Sequence, residues 1–239
     1  MEITFLGTRA NINHRSPSHQ DNAACLIHHR RTNLMIDCGT DWLGKIATVN
    51  PTAILITHAH PDHCAGLRGG AVCPVYAMQK SLHVMRSYRL QQTITIKPYK
   101  PYLIGSIQIQ AIPVEHAINA PAVGYRITAG NKTIFYVPDL VFIKRPSRAL
   151  AGIKLYIGDG ARIRYPRVRK HNGHQMGHTS ITKQLAWCKK YDVRRALFTH
   201  CGSQIVTGDD QQMRRCIQSL GNAVGVKANV AHDGMIIRI

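Results

Sequence analysis

The most informative part of this 239-residue chain is His58-Ala59-His60-Pro61-Asp62-His63, which follows the apolar run 54–57. Imidazole and carboxylate are good ligands for divalent metals of borderline softness, such as zinc. The His-x-His spacing brings two rings together at the end of a predicted strand, and the turn at Pro61 can direct Asp62 and His63 toward a neighbouring site. The pattern therefore predicts a metal site. The alternative is a cluster of surface histidines.

Three further predicted strands also run directly into a histidine or an aspartate. Residues 112–115 precede His116, residues 135–138 precede Asp139, and residues 197–199 precede His200. In α/β sheets, ligands collect at the loops beyond the strand ends. We therefore expect four separate strands to deliver metal-binding side chains to one edge of the fold.

Short β-branched runs alternate along the chain with stretches that have helical character. Strands are predicted at 4–6, 34–36, 53–57, 107–114, 133–137, 154–157, 195–199 and 226–231, and helices at 78–89, 181–190 and 209–220. In the helix at 181–190, apolar residues recur at helical spacing. Because strands and helices alternate, the fold class is α/β with layered packing.

The charge of the chain is strongly positive. Thirty-one Lys and Arg face only 12 Asp and Glu, which gives a net charge of +19 and a pI near 10.1. Such a balance favours polyanionic partners, such as nucleic acids or phosphorylated ligands. The alternative is a basic surface that serves only solubility.

Other global features exclude several classes of protein. No apolar run is long enough to span a membrane, and the first residues lack the pattern of a signal peptide, so a cytoplasmic protein without membrane contact is expected. The seven cysteines are scattered and contain no Cys-x-x-Cys pair. This argues against a disulfide framework and against a cysteine-based zinc site.

The block 58–63 resembles the signature of the metallo-β-lactamase superfamily, and the order of the later elements matches as well. The nearest resemblance is to the branch of ribonuclease Z and the cyclic phosphodiesterases. It implies a single domain, residues 1–239, built as an αββα sandwich of two mixed sheets flanked by helices. It also implies a two-metal centre. The first metal would be bound by His58, His60 and His116 and the second by Asp62, His63 and His200, with Asp139 bridging them.

The resemblance bears on metal identity and on one further aspartate. His60 stands where flavodiiron-type members have glutamate, which favours two Zn²⁺ ions over iron and leaves manganese and cobalt open. Asp37 looks like the aspartate that precedes the motif, and we interpret it as a residue that orients a ligand.

Two later elements resemble the phosphodiesterase branch more closely. Residues 176–180, Met-Gly-His-Thr-Ser, resemble its Gly-His-x-Ser or His-Ser-Thr elements, which implies that His178 acts at the leaving group. Asp159 stands where ribonuclease Z carries a His-Glu element, and it could hydrogen-bond His178 and keep it partly protonated. The alternatives are that Thr179 or Ser180 caps the following helix and that Asp159 lies in a plain turn.

A basic stretch lies just before His178. It comprises Arg162, Arg164, Arg167, Arg169 and Lys170, with Tyr165 as a stacking face. Arginine suits phosphate through forked hydrogen bonds, although a solvated basic loop is the usual explanation for such a run. His14 and His19, in an N-terminal loop, could also approach the substrate.

Together these features predict a two-metal phosphodiesterase, with a metal-bridging hydroxide as nucleophile, Asp62 in the catalytic metal site and His178 as general acid. The substrate would contain phosphate, as RNA, single-stranded DNA or a small phosphodiester. One alternative is a lactone, ester or thioester hydrolase on the same fold. Another is a non-catalytic nucleic-acid-binding protein. The sequence leaves the oligomeric state open.

Overall fold

The computed structural model describes residues 1–239 and contains two large β-sheets, a separate two-stranded sheet and six α-helices. The first sheet has seven strands: β1 (Glu2–Gly7), β2 (Ala24–His29), β3 (Thr32–Ile36), β4 (Ala53–Leu55), β5 (Val75–Ala77), β6 (Thr93–Thr95) and β17 (Ile236–Arg238). Their order is β17-β1-β2-β3-β4-β5-β6. The pairs from β3 to β6 are parallel, and the others are antiparallel.

The second sheet has eight strands: β7 (Pro101–Ile104), β8 (Ile107–Glu115), β9 (Ala122–Ala129), β10 (Lys132–Tyr136), β11 (Phe142–Ile143), β12 (Leu155–Asp159), β15 (Arg195–Thr199) and β16 (Lys227–Val230). Their order is β11-β8-β9-β10-β12-β15-β16, with β7 paired to β8. The pairs from β10 to β16 are parallel, so this sheet is also mixed.

The remaining elements are a hairpin and the helices. The hairpin consists of β13 (Arg167–His171) and β14 (His174–His178). The helices are α1 (Pro61–Cys64), α2 (Gln79–Val84), α3 (Pro146–Leu150), α4 (Ile181–Lys190), α5 (Ser203–Val206) and α6 (Asp210–Asn222). No helix is both long enough and apolar enough to cross a membrane.

The buried side chains form three apolar clusters that define four layers. One cluster joins the two sheets face to face, with Phe5 and Leu34 from the first sheet and Ile109 and Tyr125 from the second. A second cluster packs α3, α4 and α6 on the outer face of the second sheet. The third packs the short helices at 61–69 and 79–84 on the outer face of the first. Because each sheet is covered on both faces, the architecture is the expected αββα sandwich.

The eight predicted strands all occur, and the helix predicted at 181–190 coincides with α4. Ser180 begins α4 as its N-cap and accepts a hydrogen bond from the main chain of Lys183. The helix predicted at 78–89 is too long, because α2 ends at Val84. The chain then turns so that Leu90 can form a bridge to Ala71.

Candidate metal centre

The four strand ends meet at one edge of the sandwich. His58 follows β4, His116 follows β8, Asp139 follows β10 and His200 follows β15. Each of these side chains is buried. One strand of the first sheet and three strands of the second thus converge. The chain after β4 enters α1, with Pro61 at its first position. The structure brings together all seven side chains that the sequence analysis predicts as metal ligands.

The first group of donor atoms consists of three histidine nitrogens and one carboxylate oxygen. Nε2 of His58 lies 3.0 Å from Nδ1 of His60, and Nε2 of His116 lies 3.3 Å from the same atom. Oδ2 of Asp139 lies 3.4 Å from His58 Nε2 and 3.3 Å from His116 Nε2. These atoms all lie within 4.8 Å of one another, so a single ion could contact all four.

The second group adjoins the first through Asp139. Oδ2 of Asp62 lies 3.4 Å from Nε2 of His63 and 3.1 Å from Nε2 of His200. Oδ2 of Asp139 is 3.3 Å from Nε2 of His63. Asp139 therefore lies between the two groups, which is the position expected of a bridging ligand.

Asp37 and Thr57 set the tautomers of two of these histidines. Oδ2 of Asp37 accepts hydrogen bonds from Nδ1 of His63 and from the hydroxyl of Thr57, both at 2.8 Å. Since the single hydroxyl proton of Thr57 is used there, His58 Nδ1 must be the donor in its 3.1 Å hydrogen bond to that hydroxyl. Both rings therefore carry a proton on Nδ1 and turn Nε2 toward the cluster, so Nε2 is the atom that could bind a metal.

The donor set fits cations because it leaves buried polar atoms without partners. Nε2 of His63 has no hydrogen bond. Nδ1 of His200 and Oδ1 of Asp139 lie 2.6 Å apart, but their geometry is not that of a hydrogen bond. Buried polar atoms are otherwise almost always bonded. Burial tends to raise the pKa of Asp139, but His200 and His63 outweigh it and hold that pKa well below its usual range. The carboxylate therefore stays ionised and available to a cation.

Asp159 and His178 form a pair beside this cluster. Nδ1 of His178 donates to Oδ2 of Asp159 at 2.8 Å, and the carboxylate also accepts from the main-chain N–H of Ala161 at 2.8 Å. Burial lowers the pKa of His178, but the Asp159 carboxylate outweighs it, so the net shift is upward. The His178 ring lies 5.1 Å from that of His116 and 5.6 Å from that of His200, measured between centroids.

An open pocket of about 350 Å³ gives access to the centre. Arg162 and Arg167 line it together with His178, and neither arginine forms an ion pair. The N-terminal loop also reaches it, although not through the histidines that we expected. His14 does not line the pocket, and His19 is buried elsewhere against Thr8.

Sequence reasoning missed the other residues of the pocket wall. These are Ala10, Asn11, Ile12, Ala161, Gly202 and Ser203. They carry no metal-binding or titratable group that a motif could reveal. They reach the pocket because Arg9, which bonds Asp41 at 2.6 Å, fixes the path of the N-terminal loop. The proximity of 161 and 202 follows from the pairing of β12 with β15.

Comparison with known proteins agrees with this arrangement. Residues 32–201 match the model of the beta-lactamase superfamily domain. A ribonuclease Z from Thermosynechococcus vestitus is 28% identical over 156 residues, which cover 55% of this chain and 38% of that protein. A ribonuclease Z from Acaryochloris marina is 26% identical over 215 residues, which cover 79% of this chain and 66% of that protein. The chain thus spans about two fifths to two thirds of the length of these curated relatives.

Solved structures share the architecture. The Zn²⁺-bound PqqB from Methylobacterium extorquens superposes with a TM-score of 0.75 at 18% identity, covering 100% of both chains. At this identity the likeness concerns the fold. The family match extends over well over half of the chain and includes all seven candidate ligands. The chain belongs to the beta-lactamase superfamily domain family and has the metallo-β-lactamase fold.

Proposed function

We propose that this protein is a two-metal phosphodiesterase that folds as one domain over residues 1–239. The observation that carries the proposal is the hydrogen bond of 2.8 Å between His178 and the buried Asp159, which places an acid–base pair directly beside the two donor groups. The ribonuclease Z relatives support a phosphodiester as the bond that is cleaved.

In this proposal seven side chains hold the metals. His58, His60 and His116 would bind the first ion, Asp62, His63 and His200 would bind the second, and Asp139 would contact both. Three of the histidines already have a tautomer that suits this role, because their Nδ1 atoms donate hydrogen bonds within the protein. The acceptors are Thr57 for His58, Asp37 for His63 and the carbonyl of Gly177 for His116. Neutral imidazole and carboxylate donors favour Zn²⁺, and Mn²⁺ is the second candidate. When bound, two such ions activate water and neutralise charge on the phosphate oxygens.

The residues around the metals supply the rest of the chemistry. His178 keeps a proton because Asp159 raises its pKa, and its ring faces the pocket that the substrate enters. It donates that proton to the leaving oxygen as general acid. Arg162 and Arg167 hold the non-bridging phosphate oxygens, since both line the pocket without a carboxylate partner. A carboxylic ester, lactone or thioester would leave these two arginines without a role.

A substrate panel on the metal-loaded enzyme tests the proposal. The panel comprises bis-aryl phosphate, cyclic nucleotides, RNA, single-stranded DNA, lactones and thioesters. We expect turnover of the phosphodiesters, and we expect His178→Ala to lower it without changing turnover of any residual lactone. Turnover confined to lactones or thioesters would overturn the proposal, and turnover of none would favour a binding protein.

A further inference from the structure

Three residues of the basic stretch, Arg167, Arg169 and Lys170, lie in strand β13 of a β-hairpin and not in a solvated loop. Arg167 pairs with His178, Arg169 with Met176, and His171 with His174. The two strands are joined at Asn172-Gly173, both with positive φ, as a tight two-residue turn requires. The hairpin therefore holds the basic side chains in a fixed register relative to His178.

This register places six side chains on one face of the hairpin. Residues directly opposite each other in an antiparallel pair share a face, and residues two apart along a strand do so as well. The shared face carries Arg167, Arg169, His171, His174, Met176 and His178. Lys170 and Val168 point to the opposite face. The row begins at His178, the proposed general acid. It continues along β13 with Arg167, Arg169 and His171 at a spacing of about 6.6 Å.

The charge on this face is not neutralised by the protein. No acidic residue occurs between Gly160 and Tyr191, and none of the basic side chains from Arg162 to Lys170 forms an ion pair. All residues of β13 are exposed. Tyr165, two residues before Arg167, exposes 77% of its surface. Exposed aromatic rings beside basic grooves are typical of surfaces on which bases stack.

A groove along this face adjoins the pocket over the metal centre. It has a volume of about 300 Å³ and is lined by Arg167, Arg169, Met176, Gly177 and His178. Arg167 and His178 also line the pocket over the metal centre, so the two cavities share a wall. That pocket, at about 350 Å³, has the size of a small-molecule site. It admits an extended single strand more readily than a duplex.

We infer that the hairpin face formed by Arg169, His171, His174 and Met176 is a binding site for the part of a single-stranded polynucleotide that lies beyond the scissile phosphate. The strand runs from the metal centre past Arg167 and along the groove, with its phosphates on the basic row. Charge complementarity and the wall that the groove shares with the pocket carry this assignment. It rests on the proposed function and makes the substrate a polymer and not a small phosphodiester.

Two neighbouring residues on opposite faces of β13 provide a matched test. Arg169→Gln and Lys170→Gln each remove one positive charge from an exposed position of the same strand. The probes are fluorescent 12-nucleotide RNA and DNA oligomers, titrated into metal-free protein so that no cleavage occurs. Arg169→Gln should weaken binding several-fold and reduce the slope of log K against log salt by about 0.7, the value for one lost phosphate contact. Lys170→Gln should leave both quantities nearly unchanged.

The results separate this inference from the proposed function. A loss of affinity in Arg169→Gln but not in Lys170→Gln supports the inference. The oligomer that shows this loss, RNA, DNA or both, identifies the kind of strand that is bound. Equal losses in the two variants, or none in either, would overturn it. Turnover of bis-aryl phosphate by the metal-loaded variants should match that of the unaltered protein. If that compound is not cleaved at all while the difference in binding persists, the proposed function fails and the binding site stands.

Discussion

His116 and Gly177 are joined by two hydrogen bonds. Nδ1 of His116 donates to the carbonyl of Gly177 at 3.0 Å, and the N–H of Gly177 donates to the carbonyl of His116 at 2.9 Å. Because a carbonyl only accepts, the first bond fixes the proton of His116 on Nδ1 and leaves Nε2 for a metal. The same contact anchors the hairpin, and with it His178, to the edge of the second sheet.

Gly177→Ala should disturb this link. Gly177 has φ of +118°, and a Cβ there would lie 2.0 Å from the carbonyl oxygen of Arg167. We expect turnover to fall at least tenfold, since the hairpin must shift and carry His178 with it. The matched control is Gly173→Ala at the tip, where φ is also positive but no atom lies within 4 Å of the added Cβ. If both variants retained full turnover, the hairpin would not position His178.

His178→Ala should lower turnover of a phosphodiester by about 10² or more, because the leaving oxygen loses its proton donor. Metal content, measured by elemental analysis, should not change. Asp159→Asn should act in the same direction, since the amide cannot stabilise the protonated ring. Loss of metal from the His178 variant would identify this residue as a ligand instead.

Asp139→Asn should lower the occupancy of both metal positions. Its carboxylate lies within 3.4 Å of His58 and 3.3 Å of His63, one residue from each donor group. Asp62→Asn is the control, because its oxygen lies near His63 and His200 only and its loss should affect a single position. Retention of two metals per chain by the Asp139 variant would refute the bridging assignment.

His19 should make folding stability depend on pH. Burial lowers the pKa of His19 to about 4, and Asp210, His232 and Arg214 are the charged or titratable groups that face it. Because the unfolded chain binds this proton near pH 6.5, stability is complete above that pH and declines as the pH falls toward 4. The loss attributable to His19 between pH 7.5 and pH 5 should be about 2 kcal/mol.

The measurement is urea unfolding of the metal-free protein at both pH values, with His19→Asn as the control. Thr8 donates its hydroxyl proton to Asp233 at 2.6 Å, so the His19 ring must donate to Thr8, and an asparagine amide can do the same. The variant should lose less stability than the unaltered protein on acidification. An identical loss in both would mean that His19 does not titrate in this range.

The clustering of the seven candidate ligands could be predicted because their signal is local. His58 to His63 form one dense motif, and each later donor directly follows a strand whose apolar pattern marks its end. Parallel strands place such ends at one edge, so the sequence pattern and the topology agree. The pairing of Asp159 with His178 needed the resemblance as well, because neither residue has a distinctive spacing.

Strand β9 and the hairpin were harder to predict. Strand β9 is buried on both faces along most of its length, so it lacks the alternation that marks a half-exposed strand. Strand β13 consists mainly of basic residues, so its sequence also lacks the apolar pattern that predicts a strand. The turn Asn172-Gly173 was the available signal, since this dipeptide is typical of two-residue hairpins. The N-terminal loop at 10–12 reaches the pocket through distant contacts that no local pattern encodes.

Titration of the metal-free protein with Zn²⁺ tests the two-metal phosphodiesterase centre most directly. Bis-aryl phosphate turnover and bound zinc should be measured on the same samples. We predict that turnover rises until two ions are bound per chain and that Asp139→Asn abolishes this rise. Full activity with one ion per chain, or no phosphodiester turnover with two ions bound, would contradict the account.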